Sequence, residues 1–409
     1  MVIDSGDAYR GPWRMNDSEF LFVDDPTVSI NDNGVIAVAW ADLANMDILL
    51  QVFEPDGKPR LREPLNVSSS PGIFSWLPKI VINDGDANQI YLLWQDIVFS
   101  GGSHGGEIFF ARSMDGGRTF DAPMNLSKTI AGAGKGRLTS TRWDNGSFDL
   151  VMDENGDLYA AWTDYEGPLW FTRSSDAGET FTRPQHVAGD ENDMPARSPT
   201  LAVRGNMVYL AWAVGEYSRA NIHYSVSHDG GLSFASPQEV HRSRGHADAP
   251  NLAFCGEGVL HLVYAESTRG MFRSYDVFYT HRATNAESFA APKAITGHHS
   301  AEFYSAHFPE IDVDGENRLY VLWELAPDRR LRSRGLGLTY STDGDASFAQ
   351  PIVVPGTGED QTGQNGSQQG LLMRKLGVNP SGQIAIVNST FEPSVSSHIW
   401  LFRGELELN

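Results

Sequence analysis

Basic and titratable side chains that could do chemistry are concentrated in four segments of the chain. The segments are 128–143, which ends in Arg142 and Trp143 and contains no Asp or Glu, 196–199 with Arg197, 241–248 with Arg244 and His246, and 304–307 with Tyr304 and His307. Arginine can grip a carboxylate bidentately, and histidine or tyrosine can act as a general acid or base. Together these side chains would bind an acidic ligand and move a proton on it.

Carboxylates and further aromatic residues form a second set of candidates. Asp164 is followed by Tyr165, Glu266 follows an apolar segment, and Trp76 precedes another one. Aromatic side chains combine a broad apolar face with a polar edge, which suits the stacking of sugar rings. An acid at the second position after a strand-ending aromatic recurs, as at Asp42 and Asp164, so these acids could equally cap turns.

The elements that must position these side chains are short apolar strands in a regular repeat. Seven segments end in an aromatic residue or its degenerate equivalent: Trp40, Trp94, Trp162, Trp212, Tyr264, Trp323 and Asn388. Turn-forming residues precede each segment, and a further strand follows it. Each unit is therefore interpreted as strand A, turn, strand B, loop, strand C, turn and strand D. Seven such antiparallel units predict an all-β, seven-bladed β-propeller, with six blades as the alternative.

A serine–aspartate motif that ends in phenylalanine joins strands C and D in four of the units. Its copies begin at Ser113, Ser174, Ser227 and Ser341, and a Pro follows each Phe at the third position. The copies resemble the Asp-box (BNR) repeats of the sialidase-like superfamily, and the resemblance covers nearly the whole chain. Ser and Asp side chains of such a motif hydrogen-bond a tight turn, while the Phe packs between sheets. Because this explains the repetition, the four aspartates are predicted to be structural and not catalytic.

The position of the motif also orients the predicted ring. In a four-stranded antiparallel meander, the A–B and C–D turns share one face, and the B–C and D–A loops share the other. The serine–aspartate turns therefore mark the bottom face, and the candidate side chains belong to the top face, where ring folds usually bind ligands. His246 and His307 are interpreted as similar positions, each ahead of a Pro at the start of a strand A.

The seventh unit is incomplete at the C-terminus. The blades are predicted over 24–68, 75–127, 143–189, 196–240, 246–295, 303–356 and 366–409. An apolar segment at Phe20–Val23 is predicted to supply the missing outer strand, as part of a strand over 17–23, which makes 1–409 a single propeller domain. Closing the ring in this way leaves no open sheet edge.

Composition limits the partners and the compartment. The 409 residues carry a net charge of −21, which disfavours nucleic acid and anionic membrane surfaces as partners. No apolar run is long enough to span a membrane. The single cysteine, Cys255, excludes an internal disulfide, and residues 1–20 show no signal-peptide pattern. A processed secreted protein would look the same, so we expect a secreted or periplasmic protein.

The resemblance implies an anionic sugar as ligand and leaves the reaction open. Sialidases of the superfamily use three arginines, a tyrosine nucleophile with a glutamate partner, and an aspartate acid/base, and the nearest match to their first arginine segment is Ala196–Pro199. Propeller lyases that act on uronate-containing glycans neutralise the carboxylate with Arg and His and abstract the adjacent proton with His or Tyr. A hydrolase with two carboxylates and a non-catalytic propeller that binds a glycan or protein are equally compatible with the residue pattern.

The predicted site residues fall into two groups. The predicted catalytic residues are His246, His307, Tyr304 and Glu266. The predicted substrate-binding residues are Arg142, Arg197, Trp76, Trp143, Arg244, Asp164 and Tyr165. The expected partner is an acidic oligosaccharide or polysaccharide, whose glycosidic bond is cleaved by elimination or hydrolysis. No cofactor is expected to be required; a structural Ca²⁺ is compatible with the fold, but no ligand spacing marks a metal site.

Overall fold

Seven four-stranded antiparallel blades form a closed all-β ring in the computed structural model. The structure describes residues 1–8, 21–99, 105–129, 132–137, 143–145, 147–164, 167–189, 194–215, 219–270, 273–296, 303–327, 333–344, 347–358, 363–366, 374–392 and 395–406. No helix occurs among these residues. The predicted seven-bladed propeller is therefore confirmed.

The blades follow one another along the chain, each from its inner strand to its outer strand. The first three blades consist of β2 (Val23–Ile30), β3 (Ile36–Asp42), β4 (Asp47–Phe53) and β5 (Leu65–Asn66); β6 (Ser75–Ile82), β7 (Ile90–Phe99), β8 (Gly105–Ser113) and β9 (Met124–Asn125); and, after the small hairpin of β10 (Lys135–Arg137) and β11 (Trp143–Asn145), β12 (Phe148–Met152), β13 (Leu158–Thr163), β14 (Leu169–Ser174) and β15 (Gln185–Ala188).

The remaining four blades repeat the arrangement, and the last one borrows a strand from the start of the chain. They consist of β16 (Ala196–Arg204), β17 (Met207–Val214), β18 (Asn221–Ser227) and β19 (Gln238–His241); β20 (His246–Phe254), β21 (Leu260–Ser267), β22 (Asp276–Arg282) and β23 (Lys293–Ala294); β24 (Ser305–Val313), β25 (Leu319–Ala326), β26 (Leu336–Ser341) and β27 (Ile352–Val353); and β28 (Gln364–Asn365), β29 (Leu376–Val378), β30 (Gln383–Glu392), β31 (Ser396–Glu405) and β1 (Val2–Asp7).

The strand that closes blade seven is β1, and not the predicted segment 17–23. β1 pairs with β31, with Ser5 opposite His398. The prediction followed hydrophobicity, but Phe22 is buried against Phe391, with ring centroids 5.2 Å apart, and Val23 already begins β2. An outer strand is partly exposed, as β1 is, so it carries no strong apolar signal. The prediction that the N-terminus closes the ring is confirmed, but Val2–Asp7 supplies the strand; positions 17–20 of the predicted segment lie outside the described residues.

Blade three begins later than predicted. Residues Trp143–Asn145 pair with Lys135–Arg137 in a separate two-stranded hairpin, and the inner strand of the blade starts at Phe148. The segment 128–145 therefore inserts an extra hairpin between two blades. A pattern of short strands does not by itself say which strand joins which sheet, which is why the sequence placed the boundary at 143.

The serine–aspartate turns that begin at Ser113, Ser174 and Ser227 share one set of hydrogen bonds. In the copy that starts at Ser174, the hydroxyl of Ser174 donates to Asp176 over 2.7 Å and accepts the N–H of Gly178 over 2.9 Å. Asp176 also accepts the N–H and hydroxyl of Thr180 over 2.9 and 2.6 Å. These donors hold the pKa of Asp176 at about 2, the hydroxyl of Thr180 having the largest effect. The aspartate is fully committed to its turn, in agreement with a structural role.

The phenylalanine of each turn fills the space between neighbouring blades. Phe181 lies edge-on to Phe110 of the preceding blade, with 4.8 Å between ring centroids, and Phe234 lies in the same way on Phe171 at 4.9 Å. Gly178 has φ of 77°, and a Cβ there would lie 2.6 Å from Phe110, so glycine is required. Arg173 also donates to the carbonyl of Gly230 in the next turn over 2.6 Å. These contacts connect neighbouring blades at the bottom face.

Five inner strands carry the same β-bulge near the top face. In each, a residue with φ between 49° and 57° precedes a proline, and the ladder shifts register there. The strained residues are Asp25, Leu77, Ser198, Ala249 and Phe308. Bulges re-aim neighbouring side chains and often lie next to active sites. The residues directly before the strained positions are Asp24, Trp76, Arg197, Asp248 and His307.

Candidate functional site

Tyr275 lies at the top of blade five, directly before β22, with a histidine on each side. Its hydroxyl is 3.0 Å from Nδ1 of His246, and its ring centroid is 5.1 Å from that of His307. His246 is completely buried and Tyr275 is 7% exposed, whereas His307 is half-buried. A tyrosine hydroxyl bonded to an imidazole can exchange a proton with it. The group is therefore able to carry out acid–base chemistry.

The β-bulges of consecutive blades bring two further side chains, Arg197 and Asp248, near His246. Arg197, Asp248 and His307 occupy the same bulge position in β16, β20 and β24. The hydroxyl of Ser198 donates to Asp248 over 3.4 Å, which links blades four and five directly. His246 lies two residues before the bulge residue Asp248, as Ser305 lies two residues before the bulge residue His307. His246 is therefore equivalent to Ser305 and not to His307. The interpretation of the two histidines as similar positions was wrong, because it did not count back from the proline.

Arg197 is buried and only partly hydrogen-bonded. It is 5% exposed, and its Nη2 donates to the carbonyl of Gly215. Its Nε has no hydrogen-bond partner among the described residues. Buried unsatisfied donors are rare in folded proteins, and each needs an explanation such as a bound ligand. An N–H pair on this guanidinium could receive a carboxylate.

The charges around His246 set its protonation. Burial lowers the pKa of His246, the Asp248 carboxylate opposes that effect, and the Arg197 guanidinium adds to it. Nε2 of His246 is buried without a partner among the described residues. The neutral ring is therefore favoured near pH 7, and its Nδ1 is available to the hydroxyl of Tyr275.

Glu266 and Arg244 shape the loop ahead of β20. Oε1 of Glu266 accepts the backbone N–H of Arg244 over 3.0 Å, and Glu266 is 5% exposed. The carbonyl of Gly245 then accepts the N–H of Ala220 over 3.1 Å. These bonds fix the turn that enters the strand at His246. The Arg244 side chain is exposed. Glu266, predicted as catalytic, thus has a contact that positions the loop.

The other half of the top face, on blades two and three, contains carboxylates. Burial raises the pKa of Asp96 to about 6 and that of Asp164 to about 6. Asp164 accepts the indole N–H of Trp170 over 2.6 Å, and Asp96 accepts that of Trp94 over 2.7 Å. Both acids therefore hold tryptophans at the strand B–C loops, as expected of acids that cap turns. Trp76 is 3% exposed and packs on Phe74 in the core, so it offers no face to a ligand.

The remaining predicted residues are not brought to Tyr275 by any described contact. Tyr304 is half-buried, and its N–H donates to the carbonyl of Ala326 over 2.7 Å. Arg142 and Tyr165 lie outside the described residues. Trp143 begins β11, but its side chain is outside the described part of the structure.

The axis of the ring is filled directly below the mouth. The cavity there has a volume of about 20 Å³ and is lined by charged residues of several blades, among them Lys79, Asp149, Glu310 and Arg374. Arg374 donates to Asp149 over 3.3 Å, and both oxygens of Glu310 accept the N–H of Lys375, over 2.8 and 2.7 Å. The space accommodates water and no sugar ring. The axis at this level therefore has no room for the expected glycan.

Some residues of the candidate site were predicted from the sequence, and others were not. Arg197, His246 and His307 were predicted and come together around Tyr275. Tyr275 was missed, because nothing in its local sequence distinguishes it from other strand-entry tyrosines. Asp248 could have been found from the spacing of the five prolines Pro26, Pro78, Pro199, Pro250 and Pro309, which places it level with Arg197 and His307.

Two further properties of the described residues concern metal binding and membrane insertion. No group of three or more His, Cys, Asp or Glu side chains there could hold a metal ion. No described helix is long and apolar enough to cross a membrane.

Comparison with known proteins gives structural neighbours without close sequence relatives. No protein-family model matches the chain, and no curated protein matches it. An ulvan lyase described as a new family of polysaccharide lyase has a TM-score of 0.60 at 11% identity, with 99% of this chain and 96% of that chain covered. An α-L-arabinanase of Penicillium chrysogenum, complexed with arabinobiose, has a TM-score of 0.51 at 12% identity, with 98% of both chains covered.

A third neighbour connects the fold to sialidases. The NanB sialidase of Streptococcus pneumoniae, as a K499G mutant, has a TM-score of 0.51 at 9% identity, with 78% of this chain and 68% of that chain covered. At these identities the likeness shows a shared β-propeller fold and does not carry an activity with it.

Proposed function

We propose that this protein is a polysaccharide lyase that cleaves an anionic, uronate-containing glycan at the top of blades four to six. The observation that carries the proposal is Tyr275, placed between two histidines beside the buried Arg197, whose Nε has no partner among the described residues. A buried cationic donor beside an acid–base pair is the arrangement that β-elimination next to a carboxylate requires. That neighbours of the same fold include an ulvan lyase raises the plausibility by analogy alone.

The reaction would proceed by proton abstraction from the carbon next to the uronate carboxylate. Arg197 binds that carboxylate and lowers the cost of the negative charge that develops on it. Tyr275 first passes its proton to Nδ1 of His246, and the resulting phenolate removes the proton from the sugar carbon. The electron pair forms the carbon–carbon double bond and expels the glycosidic oxygen. Tyr275 then gives the abstracted proton to that oxygen, and His246 returns its proton to the Tyr275 oxygen, so that atoms and charge balance and both residues regain their starting forms.

A tyrosine with a histidine partner favours elimination over sialidase-type hydrolysis. The superfamily's sialidases pair the nucleophilic tyrosine with a glutamate, whereas the described partner of the Tyr275 hydroxyl is His246. Glu266, the predicted glutamate, is bonded to the backbone of Arg244. A neutral imidazole accepts a proton from tyrosine without the charge repulsion that a nucleophilic phenolate would meet beside a carboxylate.

The test is a screen of uronate polymers and sialosides that follows ultraviolet absorbance of the unsaturated sugar. We expect an absorbance rise with a uronate polymer and a loss of about 10²–10³-fold in kcat/KM for Arg197→Ala, since a single transition-state donor is worth that much. New reducing ends without absorbance would mean hydrolysis. Saturable glycan binding without any product would establish a non-catalytic binding propeller.

We also infer two broader properties. The serine–aspartate turns have the sequence and the hydrogen bonds expected of Asp-box repeats, which supports membership of that repeat class. A polymeric glycan does not enter the cytoplasm, so the proposed substrate supports a secreted or periplasmic location. Detection of the native protein in the periplasmic or culture fraction of its host would test the second property.

A further inference from the structure

We infer that Ser305 is a positioning residue that holds His307 as a neutral imidazole with its proton on Nδ1, so that His307 serves the site as a hydrogen-bond donor and Tyr275 alone as the base. The role in catalysis rests on the proposed lyase function. The tautomer of His307 follows from the hydrogen bonds of Ser305 and does not depend on that function.

The hydroxyl of Ser305 has two hydrogen-bond partners. This hydroxyl accepts the backbone N–H of Tyr275 over 2.8 Å, and its oxygen lies 2.7 Å from Nε2 of His307. Ser305 is 1% exposed, so water cannot easily replace a missing partner. A buried hydroxyl needs an acceptor for its own hydrogen. The acceptor that the described residues offer is Nε2 of His307.

An acceptor at Nε2 defines the tautomer. In the neutral imidazole one nitrogen accepts and the other carries the proton. With Nε2 accepting from Ser305, the ring proton of His307 lies on Nδ1. Protonation of Nε2 would make it a second donor to the Ser305 oxygen, and the hydroxyl hydrogen would then be buried without an acceptor among the described residues. The contact therefore favours the neutral ring.

The same hydroxyl couples His307 to Tyr275. Because Ser305 bonds the backbone of Tyr275 and the ring of His307 at once, it fixes the two residues relative to each other. A neutral imidazole N–H can stabilise a developing enolate as a donor, without supplying the proton that a charged ring would give up. Two groups in the site thus have separate roles: Tyr275 exchanges protons, and His307 donates a hydrogen bond.

The chain offers a matched control in blade seven. Ser397 is fully buried, and its hydroxyl accepts the backbone N–H of Val23 over 3.0 Å and donates to the carbonyl of Asp7 over 2.9 Å. It repeats the backbone contact of Ser305 without a histidine partner. Ser397→Ala therefore removes a comparable buried hydroxyl away from the site.

The decisive measurement is the tautomer of His307 by two-bond ¹H–¹⁵N correlation spectroscopy of ¹⁵N-histidine-labelled protein near pH 7. The chain has 12 histidines, and His307→Gln assigns the signal. We expect the Nδ1–H pattern in the wild type and in Ser397→Ala. In Ser305→Ala we expect a mixture of tautomers or a charged ring. Ser305→Thr retains a hydroxyl and should restore the wild-type pattern.

Activity gives the second readout. Ser305→Ala should lower kcat on the uronate polymer by about 10–100-fold with little change in KM, the size of loss typical when a residue that orients a functional histidine is removed, while Ser397→Ala leaves kcat unchanged. An Nε2–H pattern in the wild type would overturn the inference, even if Ser305→Ala failed to fold. So would an unchanged pattern in Ser305→Ala. The expected tautomers without turnover of any uronate polymer would leave the assignment standing and refute the proposed lyase function.

Discussion

Blade five contains two buried histidine–tyrosine pairs with the same hydrogen bond. At the top, the hydroxyl of Tyr275 lies 3.0 Å from Nδ1 of His246, and in the lower half the hydroxyl of Tyr279 lies 2.7 Å from Nδ1 of His261. In both histidines Nε2 is buried without a partner among the described residues, and burial lowers the pKa of both rings. Judged on the pair alone, the two places are equivalent.

The surroundings of the two pairs are different. The upper pair lies beside the guanidinium of Arg197 and the carboxylate of Asp248, both of which affect the pKa of His246. The lower pair is packed between blades: Tyr279 lies edge-on to Phe348 at 5.0 Å, and the Lys293 ammonium lies 5.3 Å from the centre of its ring. The Phe348 ring belongs to a serine–aspartate turn of the next blade, where it seals the space from solvent.

The comparison shows that a histidine–tyrosine hydrogen bond is not by itself a sign of catalysis. Such a pair becomes a candidate for catalysis where an anionic ligand could reach a buried cationic donor such as Arg197. In the lower half of blade five the identical pair supports the contact between blades. The bulges in the inner strands separate them, because the bulge residues Arg197, Asp248 and His307 lie beside the upper pair.

The largest expected effect is the difference between Tyr275→Phe and Tyr279→Phe. Each change removes one hydroxyl that bonds a buried histidine. Tyr275→Phe should reduce elimination of a uronate polymer by about 10²–10⁴-fold, because it removes the acid–base group. Tyr279→Phe should leave the rate unchanged and lower the free energy of unfolding by about 1 kcal/mol, the usual net value of a buried hydrogen bond. Initial rates and urea unfolding curves measure both.

Equal rates in the two variants would remove the distinction between the pairs. If Tyr279→Phe lost as much activity as Tyr275→Phe while remaining folded, the lower pair would have to be coupled to the site. If neither variant lost activity, Tyr275 would not be the acid–base group, and His307 would be the next residue to test.

Sequence was sufficient for the architecture, because the signals there are repeated. A strand-ending aromatic in six of the seven blades and four serine–aspartate turns each indicated the same unit, so errors in single strands did not matter. The exception, β1, was missed since a half-exposed outer strand such as Val2–Asp7 has little hydrophobic content. The sequence predicted that the N-terminus supplies the strand next to β31, but local patterns could not show which N-terminal segment does so.

The site was predictable only in part, because it is built from pairings across blades. Arg197 and His307 were recognised by residue type, but Tyr275 acquires its partners only when β20, β22 and β24 are brought side by side. Trp76 illustrates the opposite error, since it occupies the bulge position of blade two yet packs into the core. Residue type at a loop does not reveal which way a bulge directs the side chain.

The second prediction uses acid to separate the pairs. The folded-state pKa of His261 is lowered to about 4 by burial and by the nearby His281, against about 6.5 in the unfolded chain. Between these values the unfolded chain binds more protons, so the stability that His261 provides is complete above pH about 6.5 and is lost as the pH falls toward about 4. The contribution is roughly 3 kcal/mol. His261→Gln should flatten the pH dependence of the unfolding free energy by that amount.

The control for this titration is an exposed histidine. His186 lies on the surface of blade three, and His186→Gln should leave the pH dependence as it is in the wild type. A steep loss of stability that persists in His261→Gln would assign acid sensitivity to other groups, and the lower pair would then lack the buried, neutral character assigned to it.

The smallest expected effect, that of His281→Gln, tests whether the His261–Tyr279 pair is independent of the candidate site. His281 stacks on Tyr279 with 6.2 Å between ring centroids, and its charge is the second cause, after burial, of the lowered pKa of His261. In His281→Gln that repulsion is absent, so the folded-state pKa of His261 should rise toward its ordinary value and the acid-induced loss of stability should shrink by a few tenths of a kcal/mol. Turnover should not change, because no charge of the upper pair is altered. A change in the pH–rate profile of His281→Gln would show instead that the two pairs communicate through β22, the strand that starts beside Tyr275 and contains Tyr279 and His281.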